Sequence, residues 1–473
     1  MKSSESTAVL IADLGYGDAG KGSIVDYLAR SGGVHTVVRY NGGAQAAHNV
    51  ITPDCRHHTF AQFGSATFIP GVRTHLSRFM LLHPLAMLAE ERHLSSLGIK
   101  DAFARLSVDR RALLITPFQQ SANRIREQSR GDERHGSCGM GIGETQSDWL
   151  TYGEDVLFAG DLSQRSLLVK KLRFLQQAKL AQLESSLAHF PAQKWAAEDR
   201  QVLLDPAFVE TAADLYHHFG SLVNLVDDAY LSSLLRQRGT TVFEGAQGVL
   251  LDEWWGFYPY NSWSTLTYKN ADQLLDEQDF SGQVLKLGLM RAYATRHGPG
   301  PFVSEDHQLT QALPDAHNCN NPWQRGFRAG WLDLVALRYA LKVCGKIDGL
   351  VISHLDRWEQ IPQWQLCTTY THPVLPADAT KFFNMEGGMT KGIRLPADPT
   401  DLDQQESLTR LLMAAKPVCR PSQHDRQTYL QDISQALGVP LAITSMGPTS
   451  LDKETHGAFL PLLSPAEQML TTT

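Results

Sequence analysis

The chain has 473 residues, with 43 Lys and Arg against 50 Asp and Glu, a formal charge of −7. That length can bury a large core, as one big α/β domain or two smaller ones. The acidic balance excludes a general nucleic-acid binder, which needs a basic face to displace counterions. No apolar run approaches the roughly 20 residues of a membrane helix. The polar start Met1 to Ala8 lacks the apolar segment of a signal peptide, so no membrane partner and a cytoplasmic location are expected. The six cysteines, at 55, 138, 319, 344, 367 and 419, show no CxxC pairing and read as free thiols.

In chain order, Val9 to Leu14 reads as a buried strand. Gly15 to Gly22 is a glycine-rich turn, and Ser23 to Arg30 returns to helical spacing. Strand, glycine loop and helix is the arrangement that grips phosphate with backbone N–H groups and a helix N-terminus. The spacing G-x-x-x-x-G-K fits the first seven positions of a P-loop. At the eighth, Gly22 stands where Ser or Thr would hold magnesium. Asp18, a carboxylate among phosphates, suggests a metal ligand or a base acting beside them. The bland alternative is a tight turn that binds nothing.

His35 to Tyr40 is a second strand, ending in the small-residue loop Asn41 to His48. Loops at the carboxyl ends of parallel strands line the ligand crevice, so His48 is expected to face the first loop. Residues 57–82 look like short strands and turns. Leu85 to Leu97 and Phe118 to Arg130 read as helices. Gly136 to Gly143 is a second glycine loop, a ligand wrap or an idle hinge. Residues 163–237 form a helical layer with breaks near Pro191 and at Asp205-Pro206. Thr240 to Phe243 is a strand, and Gln247 in the loop after it suits a heterocycle edge or a transferred phosphoryl group. The alternative is a turn-stabilising amide.

Val284 to Tyr293 is a further strand. His317 to Arg328 is polar and aperiodic, as a substrate loop would be. Gly330 to Asp333 opens a helix reaching about Val343. Gly349 to Ser353 is a buried strand, and Asp356 beyond it either reads a guanine edge or caps a turn. Residues 374–425 read as loop-rich and proline-rich. Leu430 to Leu437 is helical, and Leu441 to Ser445 is a last strand. No linker divides the chain, so residues 1–473 are expected to form a single α/β domain with a large, mostly parallel sheet.

The stretches GDAGKG, VVRYNGG, GSCGMGIG, FEGAQGVLLD, YPY, RAYATRHGPGPF, GWLD, HLD and SMGP stand in one order along the chain. In that order they resemble the adenylosuccinate synthetase family from the first strand to near the C-terminus. The resemblance implies a homodimeric ligase using magnesium and GTP, with ATP kept open. Asp18 would remove the N1 proton of inosine monophosphate (IMP), whose oxygen then attacks the γ-phosphate. Lys21, Gly17, Gly20 and Gly22 would hold phosphates, with Asp18 and the carbonyl of Ala47 on magnesium. His48 would act as an acid on the transferring phosphoryl, and Gln247 would bind the purine and phosphoryl region. Gln45, Cys138 and Ser262 would fall in the acceptor site. Asp356, Gly447 and Pro448 would form the base pocket, and Arg325 and Arg328 would bind the amine donor.

Departures from the family pattern are equally plain. Gln45 replaces an Asn, Ser137-Cys138 replaces Thr-Thr, and His354 replaces a base-reading Lys. Two arginines, Arg325 and Arg328, stand where four are usual, which weakens dicarboxylate recognition. Two further readings therefore stay open: a paralogue with another lactam or amine, and a non-catalytic nucleotide-binding regulator.

Overall fold

The computed structural model describes residues 6–131, 134–189, 194–315, 326–422 and 425–460. Its central sheet has ten strands: β1 (Thr7–Asp13), β2 (Val34–Arg39), β3 (Arg73–Leu76), β4 (Leu106–Asp109), β5 (Asn224–Val226), β6 (Thr240–Glu244), β7 (Gln283–Arg291), β8 (Gly349–Ser353), β9 (Leu441–Ser445) and β10 (Lys453–Thr455). Their order across the sheet is β10-β9-β8-β7-β1-β6-β2-β3-β4-β5. Every neighbouring pair is parallel except β9 with β10.

The pleat explains why β1 reads as a continuous apolar run. Ala8, Leu10 and Ala12 join one core and Val9 and Ile11 the other, so both faces are buried. Helix α1 (Lys21–Arg30) covers the Val9 face with Ile24, Val25 and Leu28. The helix Leu334–Cys344 covers the other face with Leu334, Val335 and Leu337. Its start is fixed by Asp333, whose carboxylate accepts the N–H of Val335 and of Ala336, each at 3.0 Å.

The expected helical layer is present as Arg165–His189, Lys194–Leu204, Ala207–Leu222 and Asp228–Leu235. Leu168, Leu172, Tyr216 and Phe219 from it share a core with Leu76 and Leu106 of the sheet. The break expected at Asp205-Pro206 is there, whereas Pro191 lies outside the described residues. Between its last two helices the chain contributes the edge strand β5, which the helical reading missed. Three residues carry too little periodicity to signal a strand.

Residues 374–425 are more regular than expected. They contain the strands Phe383–Glu386, Met389–Ile393 and Lys416–Pro421 and the helix Leu402–Ala414. With Leu332–Asp333 and Gln365–Thr371 these strands make a five-stranded mixed sheet. The first two strands are joined by Gly387-Gly388, both at positive φ, the chemistry a two-residue hairpin turn requires.

Candidate active site in the cleft at the carboxyl edge

The strand order reverses around β1, and a ligand crevice belongs at such a reversal, outside the carboxyl ends of the strands. Five strands end there in polar residues: Asp13, Arg39, Glu244, Arg291 and Ser353. All five are buried, and they hold the loops that form the cleft.

Asp13 organises the glycine loop. Its carboxylate accepts the N–H of Gly15 and of Ala19, each at 2.9 Å, and the Lys21 ammonium at 3.2 Å. Lys21 also donates to the Gln247 carbonyl at 2.6 Å, which ties the first loop to the loop after β6. The two backbones touch: a Cβ on Gly248 would lie 2.3 Å from the Gly15 carbonyl oxygen. The loop's carbonyls turn inward. That of Gly15 accepts from Leu250 N–H at 3.0 Å, that of Asp18 from Arg291 Nε at 2.7 Å, and that of Ala19 from Ser353 Oγ at 2.8 Å. Helix α1 begins with no side-chain cap, so its first N–H groups are left for an anion.

Asp18 sits in the left-handed region with φ 63°, and its side chain is 29% exposed. His297 Nε2 lies 3.7 Å from the carboxylate. The missing P-loop hydroxyl at residue 22 has a steric cause. A Cβ on Gly22 would stand 2.9 Å from the Cβ of His48, because the strand His48–Ile51 packs directly on the start of α1.

His48 is fixed from behind. Its Nδ1 lies 2.6 Å from Glu244 Oε1, and the Ser65 hydroxyl donates to the same oxygen. The other Glu244 oxygen accepts the Ser65 N–H at 3.0 Å. Burial pushes the Glu244 carboxyl up, but Arg39, His48 and Ser65 outweigh it and hold it at about 2. Burial pulls the His48 imidazole down to about 4, with Glu244 opposing. The protein therefore holds a neutral imidazole facing a carboxylate. Nδ1–H donates to Glu244, and Nε2 has no partner in the protein.

Asp18, Lys21 and His48 open onto one cleft of about 1600 Å³. Gly17, Asp18, Gly20, Lys21, Gly22, Gln45, Ala47, His48, Cys138, Gln247, Ser262, Asp356, Gly447 and Pro448 all border it. Gln247 is itself left-handed, with φ 54°, and its side-chain oxygen accepts from Ser262 Oγ at 3.3 Å. Gln45 presents an amide with neither atom partnered. Burial raises the Cys138 thiol, which stays protonated. At the opposite end Ser353 Oγ lies 2.8 Å from His354 Nδ1. Burial and Arg291 press the His354 imidazole well below its usual value. Asp356 pairs with Arg357 at 3.4 Å.

Arg328 stands elsewhere. It pairs with Glu305 at 2.7 Å and donates to the carbonyls of Gly298 and Gly300, and it does not border the cleft. Arg325 lies outside the described residues, as does most of the expected substrate loop. Among the described residues no cluster of three His, Cys, Asp or Glu side chains could hold a metal. Magnesium is commonly held by one or two carboxylates together with substrate phosphates. Asp18 fits that case, as a single carboxylate beside the uncapped start of α1.

Sequence reasoning missed Asp13, Glu244, Arg291 and Ser353. Their signal was available as a polar residue closing the apolar end of each strand, as in Val242-Phe243-Glu244 and Leu287-Gly288-Leu289-Met290-Arg291.

A nearly all-parallel α/β sheet with a carboxylate-bearing glycine loop at its carboxyl edge is the architecture of a nucleotide-handling enzyme. The adenylosuccinate synthetase family matches residues 10–453. The adenylosuccinate synthetase of Salinibacter ruber is 30% identical, over 92% of this chain and 94% of its own length. That of Chlorobium chlorochromatii is 29% identical over 93% and 95%. Among solved structures, fully ligated adenylosuccinate synthetase from Plasmodium falciparum superposes with a TM-score of 0.76 at 20% identity, covering 95% of this chain and 99% of that one. A cyanophage S-2L succinoaminodeoxyadenylate synthetase, bound to dGMP and dATP, gives 0.59 at 15% identity, over 97% and 98%. The chain belongs to the adenylosuccinate synthetase family and is a nucleoside-triphosphate-dependent carbon–nitrogen ligase.

Proposed function

We propose that the protein joins C6 of IMP to the amino group of aspartate, converting GTP to GDP and phosphate. The observation that carries this reading is the Asp18 carboxylate at the mouth of a phosphate cradle, in the same cleft as His48. A lactam carbonyl is a poor electrophile because its oxygen is a poor leaving group. Asp18 takes the N1 proton, and the electron pair moves to O6. O6 attacks the γ-phosphorus and the bond to the β-phosphate oxygen breaks. The neutral amine then adds at C6, phosphate leaves with the former O6, and the nitrogen loses one proton, keeping the other in the product.

Lys21 and the α1 N-terminus hold the β- and γ-phosphates. His48 Nε2 meets the transferring phosphoryl group. The triphosphate's negative charge favours uptake of a solvent proton at Nε2 before transfer, so that the imidazolium donates to the transferring phosphoryl group, with Glu244 stabilising the cation from behind. Gln247 orients the purine and phosphoryl region. Gln45, Cys138 and Ser262 border the acceptor, while Asp356, Gly447 and Pro448 border the donor base. Magnesium, when bound, neutralises phosphate charge, and the Asp18 carboxylate with the Ala47 carbonyl would hold it. A cytoplasmic homodimer is part of this reading. Trp149 at 40% and Leu150 at 67% exposure lie on the helix Ile142–Tyr152, where a second copy would cover them.

A second reading keeps the activation chemistry with another amine. It rests on Arg328, whose fork is engaged by Glu305 and two carbonyls rather than open to a dicarboxylate.

The test is phosphate release with magnesium, GTP, IMP and a panel of amines, read beside product absorbance. Aspartate-dependent product formation is expected. Release that requires a different amine would move the assignment to the second reading, and GTP binding without turnover on any amine would contradict both. Asp18→Asn should lower kcat by about 10³-fold or more while GTP affinity stays within a few-fold.

A further inference from the structure

Arg291, at the end of β7, has a side chain 4% exposed and three arms in use. Nε donates to the Asp18 carbonyl at 2.7 Å, one terminal nitrogen to the Tyr293 hydroxyl at 3.1 Å, and the other to the Asp315 carboxylate at 3.0 Å. The guanidinium also lies over the rings of Tyr293 and Phe327, at 5.6 and 5.4 Å. A planar fork bonded on three sides between two rings is a rigid anchor.

What it anchors is strained. Asp18 is one of five non-glycine residues at positive φ among the described residues. A side chain in that region costs about 1–2 kcal/mol and persists only where the surroundings impose it. On the far side of the same peptide, the Ala19 N–H is held by Asp13. The Asp18 carbonyl is the near half, and Arg291 holds it. If that bond is released the peptide is held only at its Ala19 end, and its carbonyl can swing about that contact. The carbonyl oxygen could then face the phosphates, and the carboxylate would leave the direction in which it meets an N1 proton.

We propose that Arg291 is the positioning residue for the Asp18 carboxylate, setting its aim by fixing the backbone carbonyl behind it. The inference rests on the reading of Asp18 as the base. It predicts a separation between chemistry and binding. The Asp13 contacts, Lys21 and the start of α1 do not involve Arg291, so the triphosphate should bind normally while the base is misdirected.

The experiment uses full-length protein with magnesium, GTP, IMP and aspartate, comparing R291A and R291K with the native chain. Misplacing a reacting group by about 1 Å costs on the order of 10²-fold, so R291A should lose about 100-fold in kcat. Its GTP dissociation constant by calorimetry should stay within threefold. Added ethylguanidinium should raise the R291A rate saturably. R291K keeps the charge without the fork and should be about tenfold slow at unchanged GTP affinity, which also serves if R291A does not fold. A kcat within threefold of native in R291K overturns the proposal, as does a fall in kcat matched by an equal loss of GTP affinity. Should the native chain itself not turn over, the functional reading fails first. A crystal structure of R291K then decides the inference: Asp18 leaving the left-handed region supports it, and Asp18 unmoved overturns it.

Discussion

Replacing Glu244 by Gln tests how His48 is made competent. In the native cleft both Glu244 oxygens are occupied, one by His48 Nδ1–H and the Ser65 hydroxyl, the other by the Ser65 N–H. A carboxylate accepts all of these, whereas an amide brings an NH2 into one position. If the amide oxygen faces His48, its NH2 collides with the Ser65 N–H. If the NH2 faces His48, the imidazole must present a lone pair at Nδ1 and carry its proton on Nε2, the reverse tautomer. Either way, the negative charge that stabilises an imidazolium is lost. Losing one preorganised donor at a transition state costs on the order of 10²–10³ in kcat, about 3–4 kcal/mol. Glu244→Gln should therefore fall in that range for phosphate release, with GTP affinity by calorimetry within threefold. Because Glu244 is fully buried and the change is isosteric, circular dichroism should show a folded protein. A kcat within threefold of native would refute the role given to the pair.

Three further outcomes follow from the same structure. Gly22→Ala places a methyl 2.9 Å from His48 Cβ, so it should destabilise by about 1–3 kcal/mol and slow turnover by at least tenfold, and equal stability in urea titration would contradict the packing. Burial holds His75 at about 4, below its unfolded 6.5. A depressed histidine binds fewer protons when folded, so its stability contribution is complete above pH 6.5 and is lost as pH falls toward 4, by about 1.4 kcal/mol at pH 5.5. His75→Gln should reduce the native stability loss between pH 7.5 and 5.5 by that amount, and an unchanged difference in urea unfolding would refute the assignment. Lys21→Met removes a donor to both Asp13 and Gln247, so GTP affinity should fall at least tenfold by calorimetry, and unchanged affinity would remove Lys21 from the cradle.

Much of the fold was legible because parallel strands buried on both faces leave unbroken apolar runs, as in Val9–Ala12 and Leu350–Ile352. The strand, glycine loop and helix were legible because Gly17 and Gly20 must adopt positive φ between β1 and α1. The hairpin at Gly387-Gly388 was missed because prolines around it outweighed a two-residue turn signal. The anchors behind the site were missed for a different reason. Asp13, Glu244 and Arg291 look like ordinary strand ends in one dimension. Asp13 satisfies backbone groups of the loop that follows it, whereas Glu244 and Arg291 reach loops far away in sequence: the Arg291 bond to Asp18 spans 273 residues. The Gly22 departure was visible, but its cause, the approach of His48, exists only in three dimensions.

The central claim is that Asp18 turns the purine oxygen into the nucleophile that takes the γ-phosphoryl group. The most direct measurement follows that oxygen. With IMP labelled at O6 with oxygen-18, one labelled oxygen should appear in each phosphate released during turnover with aspartate, read by mass spectrometry. Unlabelled phosphate from labelled IMP, with label entering instead from oxygen-18 water, would mean that water attacks GTP and that the account is wrong.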